Sequence, residues 1–273
     1  MRSAAKKSCS LAPLVILLLA SASARAEDPK PEAPATTGTS FSPQGPGAGD
    51  GKPRFSAGIA VIDSARPYAG ADNRIMVVPV LGVEWGDFYL RGVFAGWKAV
   101  RAGGFSADVQ ARVRFTGLDP DDSPALAGME ERKGSLDLGL DLTWRSRWFG
   151  VKLLTGTDIL GRGDGTEVAT EIFATIPAGP VRVSPFVGAS WLSANFVDYY
   201  YGVRPSEATA ARPEYEGKAT WNGNAGIGIS ANVGRVFIQG IFRYQSLGAG
   251  ITESPIVDQK GSFGAGLIAT YGF

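Results

Sequence analysis

Apolar and polar residues alternate one by one over long stretches of this chain. In the clearest stretch, Leu136, Leu138, Leu140, Leu142 and Trp144 alternate with Ser135, Asp137, Gly139, Asp141, Thr143 and Arg145. In a second stretch, Ala107, Val109, Ala111, Val113 and Phe115 alternate with Ser106, Asp108, Gln110, Arg112 and Arg114. Because side chains on a β-strand point alternately to opposite faces, this period of two predicts strands with one apolar and one polar face.

The alternation continues over most of the chain after Arg54 and predicts eleven strands. The regular segments lie at 106–115, 135–145, 168–176, 181–191, 227–233 and 263–273. The less regular ones run through Phe55 to Ile62, Arg74 to Trp85, Phe88 to Val100, Phe149 to Asp158 and Val236 to Gln245. No stretch shows a helical period, so we expect an all-β fold.

Such alternation occurs in soluble β-sandwiches and in transmembrane barrels, and three features favour the barrel. Predicted strands of about 10 to 14 residues suit a tilted crossing of a bilayer. Short connections such as Ser146-Arg147 and Ala178-Gly179 separate hairpins whose other ends carry long loops. Aromatic residues lie near strand ends, as an interfacial girdle requires. These residues are Trp85, Phe115, Trp144, Trp148, Trp191, Tyr271 and Phe273.

The expected fold is therefore a transmembrane antiparallel up-and-down β-barrel. Bacterial single-chain barrels have an even number of strands, so one of the eleven assignments is wrong. The uncertain region is 54–133, where the segment Phe88 to Val100 has a candidate break at Gly96. We favour twelve strands and keep ten as the alternative.

Three regions follow from composition. Residues 1–26 combine basic residues, a short apolar stretch and small residues ending in Ala24-Arg25-Ala26, which predicts a cleaved signal peptide. Residues 27–54 are rich in proline and glycine and predict a flexible periplasmic tail, while 55–273 form the barrel. Since the only cysteine is Cys9, the mature chain has no disulfide, and lipid anchoring at a cleavage-site cysteine is not expected.

Several classes of chemistry are disfavoured by composition. The chain has no histidine, which removes the usual general base and the commonest transition-metal ligand. Without the four basic residues of the signal peptide it carries 23 basic and 26 acidic residues, a net charge of −3, so nucleic acid is not an expected partner. The run Asp119 to Asp122 favours a solvated turn over a calcium site, and Gly161 to Gly165 a tight loop over a phosphate-binding loop. We predict no catalytic residue, metal or cofactor.

The polar face of the strands would line the barrel lumen. Its candidate charges are Asp108, Arg112, Arg114, Asp137 and Asp141. Opposite charges on neighbouring strands can pair, so the pattern favours a salt-bridged plug over a selective pore.

The longest predicted loop, Asn195 to Gly217, is rich in aromatic and charged residues. Its candidate interaction residues are Tyr199, Tyr200, Tyr201, Arg204, Arg212 and Tyr215. Tyrosines of this kind are enriched at binding surfaces, but they could equally fold the loop onto the barrel mouth. The sequence leaves both alternatives open.

At this loop the chain resembles a known family. Tyr199 to Val203, followed by Glu207-Ala208 and Arg212 to Tyr215, is similar to the MltA-interacting protein (MipA/OmpV) family. Further matching segments are Pro67 to Gly70, Gly128-Met129, Ser254 to Val257 and the closing Gly266 to Phe273. The resemblance covers roughly 55–273.

The resemblance implies a non-enzymatic barrel in the lipid of the cell outer membrane. It also implies that the terminal aromatic residues, Tyr271 and Phe273, form the signal read by the barrel-assembly machinery. For the best-known member it implies a scaffold that brings a lytic murein transglycosylase to a bifunctional penicillin-binding protein. We take the scaffold as the leading hypothesis, with a small-solute channel and a surface adhesin acting through its loops as alternatives.

Overall fold

The computed structural model describes residues 52–64 and 66–273. The predicted signal peptide and nearly all of the predicted tail lie outside the described residues, and both stay predictions. No helix in the described part of the chain is long and apolar enough to cross a membrane.

The structure is a single antiparallel sheet that closes on itself. Its thirteen strand segments are β1 (Arg54–Ser64), β2 (Arg74–Trp85), β3 (Phe88–Arg91), β4 (Phe94–Ala102), β5 (Phe105–Arg114), β6 (Ser135–Arg145), β7 (Phe149–Asp158), β8 (Thr166–Ala174), β9 (Ile176–Ala178), β10 (Val181–Leu192), β11 (Thr220–Val233), β12 (Val236–Ser246) and β13 (Gly261–Gly272). Each strand pairs with its neighbour, and β13 pairs with β1 to close the barrel. Because β8 and β9 both pair with β10, they are one strand interrupted at Thr175. The predicted twelve-stranded barrel is confirmed.

The twelfth strand comes from the segment that we predicted as Phe88 to Val100. This segment is two strands, β3 and β4, which form a hairpin with Phe88 opposite Trp97 and Arg91 opposite Phe94. The break lies at Gly92-Val93, so the predicted break at Gly96 is wrong. Gly92 has a φ of 59°, a left-handed conformation that glycine adopts readily and that reverses the chain here.

The barrel has two different ends. The start of β1, the C-terminus and the short turns after β2, β4, β6, β9 and β11 lie at one end, which we call the turn end. The loops 66–73, 115–134, 159–165, 193–219 and 247–260 lie at the other, the loop end. Apolar side chains are exposed on the outer wall between them, including Ile75, Val77, Leu81, Leu138 and Leu140. An apolar outer wall of this kind matches the lipid-facing band of a transmembrane barrel.

Two short α-helices lie in the loops of the described part of the chain, where the residue pattern showed no helical period. Helix α1 spans Ala194–Tyr201 and α2 spans Ala249–Thr252. The Ser193 side chain caps α1 by accepting a hydrogen bond from the Phe196 backbone N–H at 3.2 Å. Eight residues make little more than two turns, so packing against the rest of the loops stabilises this helix more than its own propensity does.

Candidate functional site: the loop-end cap and the charged lumen

The largest apolar core of the molecule lies at the loop end, above the barrel. Its twelve buried side chains come from four different loops and the strand end before α1. They are Tyr68, Leu118, Leu126, Met129, Leu192, Phe196, Val197, Tyr200, Tyr201, Val203, Ile251 and Ile256. We call this cluster and the loops that carry it (66–73, 115–134, 193–219 and 247–260) the cap. Since burial of this apolar surface stabilises the cap, the loops form one folded unit over the barrel mouth.

Two of the three adjacent tyrosines are part of the cap core. Tyr201 packs against Tyr68, with ring centroids 5.7 Å apart, and Tyr200 packs against Phe196 at 5.0 Å. The Tyr68 hydroxyl donates a hydrogen bond to the Tyr200 carbonyl at 3.2 Å. Burial raises the pKa of all three phenols, Tyr68, Tyr200 and Tyr201, so they remain protonated.

A buried ion pair connects two loops of the cap. The guanidinium of Arg132 donates to both carboxylate oxygens of Glu207 at 2.8 Å, and each side chain is only 2% exposed. The backbone N–H groups of Glu130 and Arg204 donate to the same carboxylate at 2.9 and 3.0 Å. Burial acts to raise the pKa of Glu207, but these donors outweigh it and hold the pKa below its usual value.

Arg212 and Tyr215 also make contacts within the cap. Arg212 is buried, and its guanidinium donates to the carbonyls of Ala125 and Glu207 at 2.7 and 2.8 Å. The Tyr215 hydroxyl donates to the Gly250 carbonyl at 2.9 Å. These bonds hold the loop 193–219 against the loops 115–134 and 247–260.

The predicted interaction residues therefore differ in accessibility. Tyr200, Tyr201 and Arg212 are buried in the cap, whereas the Arg204 side chain is 47% exposed and pairs with Glu130. Two alternatives were left open for the loop Asn195 to Gly217. In this structure the loop is folded onto the barrel mouth. An external binding role for the loop stays a prediction. In this structure only the exposed residues of the loop are accessible to a partner.

Below the cap, four charged residues meet inside the barrel. Arg112 on β5 donates to Asp137 on β6 at 2.8 Å and to Glu167 on β8 at 2.9 Å. Arg114 donates to the same two carboxylates, at 3.1 Å to Glu167. Two positive and two negative side chains, all at most 13% exposed, neutralise one another here.

This lumen cluster is joined to the cap by one aromatic contact. The Arg114 guanidinium lies 4.5 Å from the ring centroid of Phe196, the first buried residue of α1. A cation over an aromatic face is attracted by the negative charge of the ring face. The cap helix and the charged cluster therefore close the loop end together.

Nearer the turn end, the other predicted lumen charges also have partners. Asp108 pairs with Arg101 at 2.6 Å, and Asp141 pairs with Lys152 at 3.1 Å. The sequence interpretation did not single out Glu167, Lys152 or Arg101 as members of the lumen. Lys152 lies within the predicted strand Phe149 to Asp158, and Glu167 lies one residue before the predicted segment 168–176, so extending the alternation of each strand would have placed both on the inner face.

The two remaining candidate sites, the acidic run Asp119 to Asp122 and the loop Gly161 to Gly165, form hydrogen bonds that stabilise turns. Asp119 accepts a hydrogen bond from the Asp121 backbone N–H at 2.9 Å in a single 3-10 turn. Asp158 accepts the backbone N–H groups of Leu160, Arg162 and Gly163, which closes the glycine-rich loop after β7. No group of three or more histidine, cysteine or carboxylate side chains that could hold a metal occurs among residues 52–64 and 66–273.

Comparison with known proteins assigns the chain to a family. The model of the family "MltA-interacting protein MipA" matches residues 57–273. The chain belongs to this family. The matched residues include the barrel from near the start of β1 to the C-terminus, together with every loop of the cap.

Individual MipA-family proteins are similar over much of their length. Outer membrane protein Omp26La of Vibrio anguillarum is 31% identical over 57% of this chain, and the match spans only 61% of that protein. MltA-interacting protein of Escherichia coli (strain K12) is 26% identical over 81% of this chain and 89% of its own length. Among solved structures, an outer membrane channel from Pseudomonas putida F1 aligns with a TM-score of 0.45 and 11% identity, covering 90% of this chain and 99% of the other.

This MipA-family protein is located in the cell outer membrane. Its homologues are named outer membrane proteins, and its barrel has the apolar outer wall that a lipid environment requires. In such barrels the short turns face the periplasm and the long loops face the exterior. The turn end is therefore periplasmic and the cap is extracellular. Tyr271 and Phe273 lie at the periplasmic rim, with their rings 5.2 Å apart.

Proposed function

We propose that this protein is a non-catalytic outer-membrane scaffold whose periplasmic rim binds murein-synthesising and murein-hydrolysing enzymes. The name of the relative from Escherichia coli, MltA-interacting protein, supports a murein enzyme as partner. The family resemblance extends this to a lytic murein transglycosylase and a penicillin-binding protein. The lack of histidine in the whole chain supports a role without catalysis.

The observation that carries the proposal is the charge of the periplasmic rim. Arg145, Arg147, Arg182 and Arg235 are exposed there, and none of them forms an ion pair within the described part of the chain. Asp87 is the exposed acidic side chain of the turn after β2. A basic rim attracts the acidic surface of a partner and accelerates encounter, an effect that salt screens.

The geometry at the other end disfavours the channel alternative. The cap covers the extracellular mouth, and the cluster of Arg112, Arg114, Asp137 and Glu167 lies inside the barrel directly below it. A solute moving along the barrel axis would have to displace buried and mutually neutralised charges. We expect negligible conductance of the intact protein in planar bilayers.

A pull-down with charge-reversed variants tests the scaffold. The folded protein is immobilised and exposed to detergent-solubilised envelopes, and retained murein synthases and hydrolases are quantified by mass spectrometry. Reversing Arg147, Arg182 and Arg235 to glutamate should abolish retention. The matched control reverses Lys133, Lys218 and Lys260, which are exposed on the extracellular loops, and should retain the enzymes as the wild type does.

Two results would contradict the scaffold. One is a folded wild-type protein that retains no murein enzyme above an empty matrix. The other is equal loss of retention in both triple variants, because the periplasmic rim would then have no special part.

A further inference from the structure

The barrel wall is incomplete between β2 and β5. Strand β3 has four residues, and its hairpin with β4 turns at Gly92-Val93, part-way up the barrel. Only Gly82 to Trp85 of β2 pair with β3. The upper part of β2, Ile75 to Leu81, pairs with β1 on one side and has no strand partner on the other among the described residues. We call this opening the wall gap.

The wall gap lies at the height of the outer leaflet. At about 3.3 Å per residue and a tilt of about 40°, each strand residue adds about 2.5 Å of height. Leu81 then lies about 10 Å above the interfacial Trp85, and Ile75 about 25 Å above it, at the top of a lipid-facing band about 25 Å tall. Ile75, Val77 and Leu81 are 70%, 63% and 61% exposed on the outer face, as lipid contact requires.

Backbone groups along the wall gap lack a β-ladder. The Leu81 carbonyl points to this side, since it accepts the Gly92 N–H at 2.8 Å. Residues of the same parity, Ile75, Val77 and Pro79, point their backbone groups the same way. Pro79 has no N–H to leave unpaired, which is why proline is tolerated at such an edge. Unpaired backbone N–H and C=O groups are not tolerated in contact with hydrocarbon. We therefore expect an unpaired strand edge at this depth to line a passage into the lumen.

The inner face of β2 is apolar along the wall gap. The inward-facing residues of β2 at this height are Met76, Val78 and Val80, and Val80 packs with Ala60 and Ile268. Charged side chains lie below this stretch, where Glu84 of β2 pairs with Arg91 and Lys98, and on the inner faces of β5, β6 and β8 as described above. The part of the inner wall suited to an uncharged ligand is therefore the stretch from Met76 to Val80, which borders the opening.

The top of the wall gap is closed by the cap. Arg66 of the loop after β1 forms an ion pair with Asp122 of the loop after β5. The Ser123 hydroxyl donates to the Ala69 carbonyl at 2.7 Å across the same boundary. Water-soluble molecules therefore meet a closed mouth, whereas molecules dissolved in the outer leaflet meet a gap in the wall.

We propose that the wall gap is a lateral port through which small, uncharged apolar molecules pass from the outer leaflet into the lumen. The port does not depend on the scaffold, because it uses the wall and not the periplasmic rim. Entry from the membrane selects for molecules that partition into lipid, and the lining of Met76, Val78 and Val80 holds them without desolvating a charge.

Photolabelling from the lipid phase tests the port. The folded protein in phospholipid vesicles is irradiated with trifluoromethyl-iodophenyl-diazirine, a small apolar carbene precursor, and labelled residues are mapped by mass spectrometry. The outward residues Ile75 and Val77 should be labelled in any case. The port predicts labelling of the inward residues Met76 and Val78 to a comparable extent, and none on the inward row of the continuous wall at Asn222 and Asn224.

A charge in the lining gives a second, matched measurement. Val78→Asp should lower labelling of Met76 at least about tenfold, because an unpaired carboxylate disfavours an apolar ligand. Asn224→Asp adds the same charge to the lumen, four residues from the extracellular end of its strand as Val78 is, and should leave the labelling unchanged. Folding of each variant is checked by heat-modifiable electrophoretic mobility.

Labelling confined to the outward rows of the wild type would overturn the port. So would protection of both rows of β2 together with crosslinked dimers, since a second copy would then cover the gap.

Discussion

Removing the carboxylate of Glu207 should open the cap while the barrel stays folded. Glu207→Ala leaves the Arg132 guanidinium, 2% exposed, without its ion-pair partner, and also removes the acceptor for the backbone N–H groups of Glu130 and Arg204. Breaking a buried pair by deleting one partner costs roughly 3 to 5 kcal/mol. Since about 1.4 kcal/mol is a factor of ten, the open population of the cap should rise by a factor between about 100 and several thousand.

Limited proteolysis measures this opening. At low chymotrypsin concentration the cleavage rate follows the population of the open form, so cleavage after Tyr200 and Tyr201, which are buried in the closed cap, should accelerate by about the same factor. The control is Glu214→Ala, which removes an exposed carboxylate of the same loop and should change the rate by less than about threefold, as expected for a surface site. Equal cleavage rates in the two variants, with unchanged heat-modifiable mobility, would refute the assignment of Glu207 to the cap core.

Three further predictions concern pH, packing and assembly. The pKa of Glu207 is lower in the folded cap than in the unfolded chain. Its stabilisation of the cap is therefore complete above pH about 4.5 and is lost as the pH falls through the pKa of the folded state. Acid should speed pepsin cleavage of the wild type more than of Glu207→Gln. Gly96→Ala places a methyl group in steric conflict with the Tyr89 ring and should destabilise the barrel by about 1 to 3 kcal/mol in thermal melts, whereas Gly223→Ala, with nothing within 4 Å, should not. Phe273→Ala should reduce the amount of barrel recovered in outer-membrane fractions, as the family resemblance implies, and undiminished assembly would contradict that role for the C-terminus.

The alternation of residue types was sufficient to predict which way most strand side chains point. On β6, Leu138 and Leu140 are 46% and 43% exposed on the outer face, while Asp137 is 1% exposed inside. A period of two is a local property of the chain, so the sequence carries it directly. The break at Gly92-Val93 was missed because apolar residues continue on both sides of the turn, and only the conformation of Gly92 marks it.

The pairing of lumen charges could not be predicted in the same way. Alternation places Arg112 on the inner face, but its second partner, Glu167, lies on β8, three strands away along the wall. Which inward residues meet across a lumen depends on strand register and barrel diameter, and neither is a local property. Helix α1 could not be predicted from the sequence either. Eight residues are too few to show a helical period, and the loops around the helix provide most of its stability.

A barrel whose extracellular mouth is closed by a folded cap has two other surfaces through which it can act, the periplasmic rim and the wall. The rim carries exposed arginines in water, and the wall gap carries apolar side chains and a strand edge in lipid, so the two suit partners of opposite chemistry. The two proposals are therefore separable in one set of proteins. Charge reversal at Arg147, Arg182 and Arg235 should remove enzyme retention and leave diazirine labelling of Met76 intact, whereas Val78→Asp should do the reverse. A folded variant that lost both properties would mean that the rim and the wall gap are coupled through the barrel wall. The rim and the gap would then not act independently, contrary to what their different chemistry predicts.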